Sequence, residues 1–256
     1  MYPVLVRIGP LTIHTYGFLI ASGFLVALWL AVRQAKAVGI RRDDIIDIGF
    51  YLLLAAIVGS RVFFVLTNWD YYVNNPLDIV KIWKGGLVFN GGLLFTIPTA
   101  IWYIRRKRLD FWVTADVFAP SIAIGHAIGR LGCFFAGCCY GKPAAGVFWS
   151  VTFSNPESLA MKGVPLHPVQ LYEAAGEMLN FLVLIFIRKR GAFRGQLFWI
   201  YILNYSIIRL VMEMFRGDTV RGFIMPGLSI AQGISLGIAV TAITSLLILR
   251  KKQSSR

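Results

Sequence analysis

The chain has 256 residues, of which 57% are hydrophobic and 15% charged, with a mean hydropathy of +0.67. Soluble domains carry about 25% charged residues, so this composition excludes a disordered chain and argues against an ordinary soluble domain. The formal net charge of +14 comes from 26 Lys and Arg against 12 Asp and Glu. On a chain this apolar, the excess points to basic cytoplasmic loops of a membrane protein rather than to nucleic acid, which is not an expected partner. Three cysteines exclude a full disulfide framework. The first charge-free stretch, 8–32, is too long for the apolar core of a secretory signal.

Seven windows are long and apolar enough to cross a hydrocarbon core of about 30 Å, at 11–32, 48–67, 87–104, 112–130, 169–187, 195–214 and 228–249. Helices are expected, because the alternation of a membrane barrel is missing. The basic residues cluster in every second connection and after the last span: Arg33, Lys36, Arg41 and Arg42; Arg105, Arg106, Lys107 and Arg108; Arg188, Lys189, Arg190 and Arg194; and, past span seven, Arg250, Lys251, Lys252 and Arg256. The positive-inside rule makes these connections cytoplasmic. The expected fold is therefore an all-α membrane protein of seven transmembrane helices, N-terminus outside and C-terminus cytoplasmic. It forms a single polytopic domain over 1–256. The segment 131–166, rich in Gly, Pro, Ser, Cys and aromatics, is expected as an insertion on the outer face, with a strand-like run at 147–153.

Charges within membrane spans are costly and are functional candidates by default. Following each helix direction, His14 and Tyr16, Arg61, Asn90, His126 and Arg130, His167 to Glu173, and Tyr205, Arg209, Glu213 and Arg216 all fall toward the outer side. Asp116, near the inner end of its span, is the exception. Blander roles exist for each: Arg209 and Glu213 are spaced for an intrahelical ion pair, and His126 suits a packed polar site. Convergence on one side is what those roles explain poorly. Arginines without partners at this depth suit an anionic lipid headgroup, whose phosphate matches the guanidinium fork.

Gly85-Gly86 and Gly91-Gly92 bracket Asn90 and allow close backbone approach, either to a ligand or to a neighbouring helix. Cys133, Cys138 and Cys139 lack the CxxC pair of zinc sites and have no His nearby in sequence. No metal is expected there. Packed thiols, or a Cys133–Cys138 or Cys133–Cys139 bridge, are the readings.

Four blocks in order carry a resemblance: Gly85-Gly86-Leu-Val-Phe-Asn90-Gly91-Gly92, Gly129-Arg130-Leu-Gly132-Cys133-Phe134, His167-Pro168-Val-Gln170-Leu-Tyr172-Glu173 and Arg209-Leu-Val-Met-Glu213-Met-Phe-Arg216. Together with 8–17 they make nearly the whole chain resemble the bacterial prolipoprotein diacylglyceryl transferases. The resemblance implies an enzyme of the bacterial cytoplasmic membrane, its active site facing the outer leaflet. Its activity would be transfer of the diacylglyceryl group of phosphatidylglycerol to the lipobox cysteine of a prolipoprotein signal peptide, with glycerol phosphate leaving. The partners implied are this lipid, the prolipoprotein and the bilayer; no cofactor is implied. The catalytic positions it implies are Arg209, Arg130, Tyr16, Asn90, His167, Glu173, Tyr205 and Glu213. Phosphatidylglycerol is expected at Arg130, Arg209, Gly91, Gly92 and Gly141.

The chain departs from the family's pattern at Asn90, where a His proposed as the base is common, and at Cys133 and Cys138, where Asn and Glu are common. An amide takes up no proton at neutral pH. Arg130 and Arg209 can instead favour the substrate thiolate electrostatically, with His167 and Glu173 as other bases. Two alternatives follow: a divergent member that binds lipid without full activity, or a small transporter, which would need polar residues through the full membrane depth.

Overall fold

The computed structural model describes residues 2–9, 11–217, 222–225 and 228–254. Arg256, counted among the basic residues above, lies outside them. Among the described residues the elements run β1 (Val4–Ile8), β2 (Leu11–His14), α1 (Thr15–Lys36), α2 (Arg42–Thr67), α3 (Trp69–Asn74), α4 (Phe89–Arg106), α5 (Phe111–Ala136), β3 (Val151–Thr152), β4 (Pro165–Leu166), α6 (Val169–Lys189), α7 (Gln196–Glu213), β5 (Phe223–Met225), β6 (Leu228–Ser229) and α8 (Ile230–Ser254). The protein is thus mostly helical. Five helices, α1, α2, α5, α6 and α8, are long and apolar enough to cross a membrane. Both α4 and α7 have 18 residues and include charged or amide side chains. Many large apolar side chains stay uncovered: on α8, Val240, Leu247 and Ile248 are each more than 60% exposed. Faces of this kind suit lipid, not water.

Two spans differ at one end from the sequence expectation. Residues 11–14 are not helical. Leu11–His14 pairs antiparallel with Val4–Ile8, with Ile8 opposite Leu11 and Val4 opposite His14. The left-handed Gly9 turns the chain between them. His14 therefore lies on a strand. The helix α5 runs on to Ala136, so the first residues of the 131–166 segment continue that helix, and the strand expected over 147–153 is confined to Val151–Thr152. Elsewhere helices extend past the apolar windows at their basic ends. Arg33 and Lys36, Arg105 and Arg106, Arg188 and Lys189, and Lys251 and Lys252 occupy last turns, where the macrodipole favours cations.

The chain divides into two compact units. In the unit 32–114, α2 packs along α4. A Cβ at Gly91 would sit 2.4 Å from the Gly59 carbonyl and one at Gly92 2.6 Å from Ser60 Oγ, so the glycines let these backbones touch. At one end of the pair, Tyr103 donates to Asp47 at 3.1 Å and Lys107 meets Asp44 at 3.1 Å. At the other, buried Arg61 donates to the carbonyls of Asp78, Ile79, Gly85 and Gly86 at 2.5–3.1 Å. Arg61 therefore ties the loop before α4 to α2, satisfying its charge with backbone dipoles.

The other unit holds 1–31 and 115–256. Here Ala119, Ala123, Leu184, Leu197 and Tyr201 form a buried cluster joining α5, α6 and α7. Asp116 explains itself at the start of α7, accepting from Gly195 N–H at 2.6 Å and Phe198 N–H at 2.8 Å. A carboxylate there satisfies two otherwise orphaned donors and the helix dipole. It serves as a cap borrowed from another helix.

Candidate active site

The helices α5, α6 and α7 and the residues just past α7 bring three arginines of the sequence blocks onto Glu173, one turn into α6. Its carboxylate is 4% exposed. Arg130 Nη1 of α5 lies 2.8 Å from Glu173 Oε2, and Arg209 Nη1 of α7 donates to Oε1 at 3.5 Å. Arg216, just past α7, stands 3.8 Å from Oε1, and Arg209 Nη2 meets Glu213 Oε2 at 3.1 Å one turn on. The arginines are therefore not without partners, contrary to the sequence expectation. Removing a guanidinium from water without a counter-charge costs several kcal/mol, and Glu173 and Glu213 supply that counter-charge here. Among these five side chains, three guanidiniums share two carboxylates.

A polar chain backs this cluster. Arg130 Nε donates to His126 Nε2 at 3.1 Å, one turn earlier on α5. An arginine can only donate, so His126 accepts at Nε2 and carries its proton on Nδ1, which lies 3.5 Å from Glu177 Oε1. Asn180 donates to Glu177 Oε2 at 3.5 Å, and Asn204 of α7 donates to Asn180 Oδ1 at 2.9 Å. The His126 ring also packs against Tyr205 at 5.7 Å, and Tyr205 stacks on Tyr201 at 6.3 Å. Glu177, Asn180 and Asn204 went unnoticed as a set in the sequence. Their signal is weak: three amphipathic-helix polar residues whose partners lie on other helices.

Tyr16, in the first turn of α1, lies against α5 two residues beyond Arg130: a Cβ on Gly132 would be 3.3 Å from the Tyr16 carbonyl. His167 sits in the loop between β4 and α6, outside the helix. Its Nδ1 is 3.2 Å from Tyr172 Oη, which itself accepts from Trp149 Nε1 at 2.7 Å. Gly141 threads between this loop and the end of α7. It donates to the His167 carbonyl at 2.9 Å and bridges Arg216. A Cβ there would fall 2.7 Å from both His167 Cβ and the Phe215 carbonyl, so packing alone requires glycine. Asn90, Gly91 and Gly92 open α4 in the other unit, where both glycines meet α2.

The three cysteines are free, and their sulfur atoms all lie within 4.8 Å of one another. Hydrogen bonds from Cys133 and Cys138, with Arg216 and Arg130 nearby, hold the Cys139 thiol below the ordinary thiol range.

Comparison with known proteins agrees with the resemblance read from the four blocks. A family model described as prolipoprotein diacylglyceryl transferase matches residues 3–248. The chain is 35% identical over 252 residues to the phosphatidylglycerol–prolipoprotein diacylglyceryl transferase of Bacillus cytotoxicus, covering 97% of this chain and 92% of that one. Similarity to the same-named protein of Bacillus velezensis is 35% over 254 residues, 98% of this chain and 93% of the other.

Proposed function

The chain belongs to the prolipoprotein diacylglyceryl transferase family, and we propose from this that it transfers the diacylglyceryl group of phosphatidylglycerol to the lipobox cysteine thiol of a prolipoprotein. The observation that carries the site assignment is the convergence of Arg130, Arg209 and Arg216 on the buried Glu173. A lipid phosphate offers these guanidiniums the same oxygens that a carboxylate does, with more charge. Arg130 and Arg209 bind the phosphate, and Glu173 keeps both in place when the lipid is away.

The reaction is a displacement at the glyceryl carbon. The thiolate sulfur forms the new C–S bond, the C–O bond to phosphate breaks, and glycerol phosphate leaves with the electron pair. Arginines already aimed at the phosphate stabilise the charge that grows there, with little reorganisation. The thiol proton needs an acceptor. Asn90 cannot serve. Glu173 faces three guanidiniums, and His167 Nδ1 is engaged by Tyr172. The positive field of the arginines therefore favours the thiolate directly, with the released proton passing to water.

On our reading, seven spans with the three basic connections and the basic C-terminal tail in the cytoplasm put this cluster at the outer leaflet of the cytoplasmic membrane, on the same side as the segment 131–166. That reading is supported by the side on which basic residues gather. A second reading, phosphatidylglycerol binding without transfer, draws on Asn90. Complementation of a strain depleted of its own transferase, with a gel-shift assay on a model prolipoprotein, separates the two. Growth and a shifted product are expected; bound lipid with no product overturns the enzyme reading.

A further inference from the structure

The three thiols are brought together by the way α5 ends. Gly137 is left-handed, at φ 77°. Its N–H bonds the Phe134 carbonyl at 3.2 Å, and the Cys138 N–H bonds the Cys133 carbonyl at 3.1 Å. This pair of bonds is a Schellman termination, in which the residue two past the cap folds back over the last turn. Those two residues are here Cys138 and Cys133. A Cβ at Gly137 would also fall 2.1 Å from Ser158 Oγ, and Leu159 N–H bonds the Ala136 carbonyl at 3.0 Å, so the turn is clamped from outside. Cys139 then takes φ 60°, a conformation that side-chain-bearing residues seldom adopt, and its thiol rejoins the other two. Gln170 of α6 donates to the Cys138 carbonyl at 2.7 Å, and Gly141 fixes the following residues against the His167 loop.

We propose that Cys133, Cys138 and Cys139 form a three-thiolate site for a thiophilic metal ion, Zn2+ or Cu+. Sulfurs bound to one such ion at about 2.3 Å stand roughly 4 Å apart, close to the separation that the fold sets here. Soft thiolates select these ions over hard cations. Three thiolates with either ion carry net negative charge, and cations flank the site: Arg130 is one helical turn from Cys133, and Arg216 bridges Gly141, two residues past Cys139. Binding releases the thiol protons to solvent and crosslinks the end of α5 to the loop that meets His167 and the end of α7. No redox change occurs. The site is read by metal content, so its failure leaves the transferase reading untouched, and the reverse holds too.

The test uses the full chain in detergent, reduced and kept under inert gas. It is dialysed against buffered Zn2+ and, separately, Cu+, and metal is measured by mass spectrometry beside a count of reactive thiols. One ion per chain is expected for at least one of the two metals, with all three thiols protected from alkylation until a chelator is added. Cys133→Ser, Cys138→Ser and Cys139→Ser should each lose most of the bound ion. Thiol protection in the unaltered protein supplies a readout that does not depend on those variants folding. Three reactive thiols at saturating metal would overturn the proposal. So would retention of the ion in the triple serine variant, or a Cys133–Cys138 or Cys133–Cys139 disulfide whose reduction restores no metal binding.

Discussion

Glu173 Oε2 lies 2.8 Å from Arg130 Nη1, and the two side chains come from different helices, α6 and α5. The same carboxylate also faces Arg209 and Arg216. Glu173→Gln keeps the shape and removes the charge that Arg130, Arg209 and Arg216 share. Breaking a buried pair from one side costs about 3–5 kcal/mol. The variant should unfold at markedly lower temperature in detergent, and added phosphatidylglycerol should restore part of the loss. Unchanged thermal unfolding would mean that the cluster is solvated.

Arg209→Ala should reduce diacylglyceryl transfer in the gel-shift assay by at least about a hundredfold, the scale for one lost transition-state donor. Membrane insertion should be intact. Arg209→Lys should recover little, because an ammonium on a flexible stem cannot hold Glu173 and Glu213 together as a planar fork does. Full activity of the alanine variant would remove Arg209 from the site.

His126 acts through Arg130. Its Nε2 accepts the Arg130 Nε–H at 3.1 Å, which turns the guanidinium. His126→Ala should cost about tenfold in rate, within the range expected when a positioning hydrogen bond is lost. His126→Gln, which still offers an acceptor, should recover most of it. Equal loss in both variants would point to packing against Tyr205 instead.

Asn90→His introduces a group that takes up a proton near neutral pH. If Asn90 borders the reacting thiol, transfer should hold or rise, and its rate should gain a pH dependence between about pH 6 and 7. A collapse in rate would show that this position is shaped for an amide.

Asp116 caps α7 through the Gly195 and Phe198 N–H groups. Asp116→Ala should cost about 1–2 kcal/mol of stability, read by thermal unfolding, without lowering transfer per folded molecule. Lost transfer at full stability would assign Asp116 a different role.

Much of the fold was legible because its signals are local. Apolar windows, basic flanks and the dipole preference for cations in last turns sit along the chain, so they located helical segments to within about six residues at either end. The first window failed at 11–14 because a hairpin with Val4–Ile8 competed for the same apolar residues, and pairing across a turn leaves no mark in hydropathy. The four sequence blocks marked Arg130, Glu173, Arg209 and Glu213 as candidates. Which charge meets which was hidden: Arg130 and Glu173 are far apart in the chain, and only helix packing sets their distance.

The sequence by itself determined the membrane class, the family and the residue types available for binding a phosphate. The tertiary structure decided that the arginines share one carboxylate, that His126 accepts from Arg130, that Asp116 caps α7, and that three thiols close on one another. The physical reason is common to these four. Burying a charge or a helix end requires a partner within a few ångströms, and that partner, like the meeting of the thiols, is set by where the backbones pass.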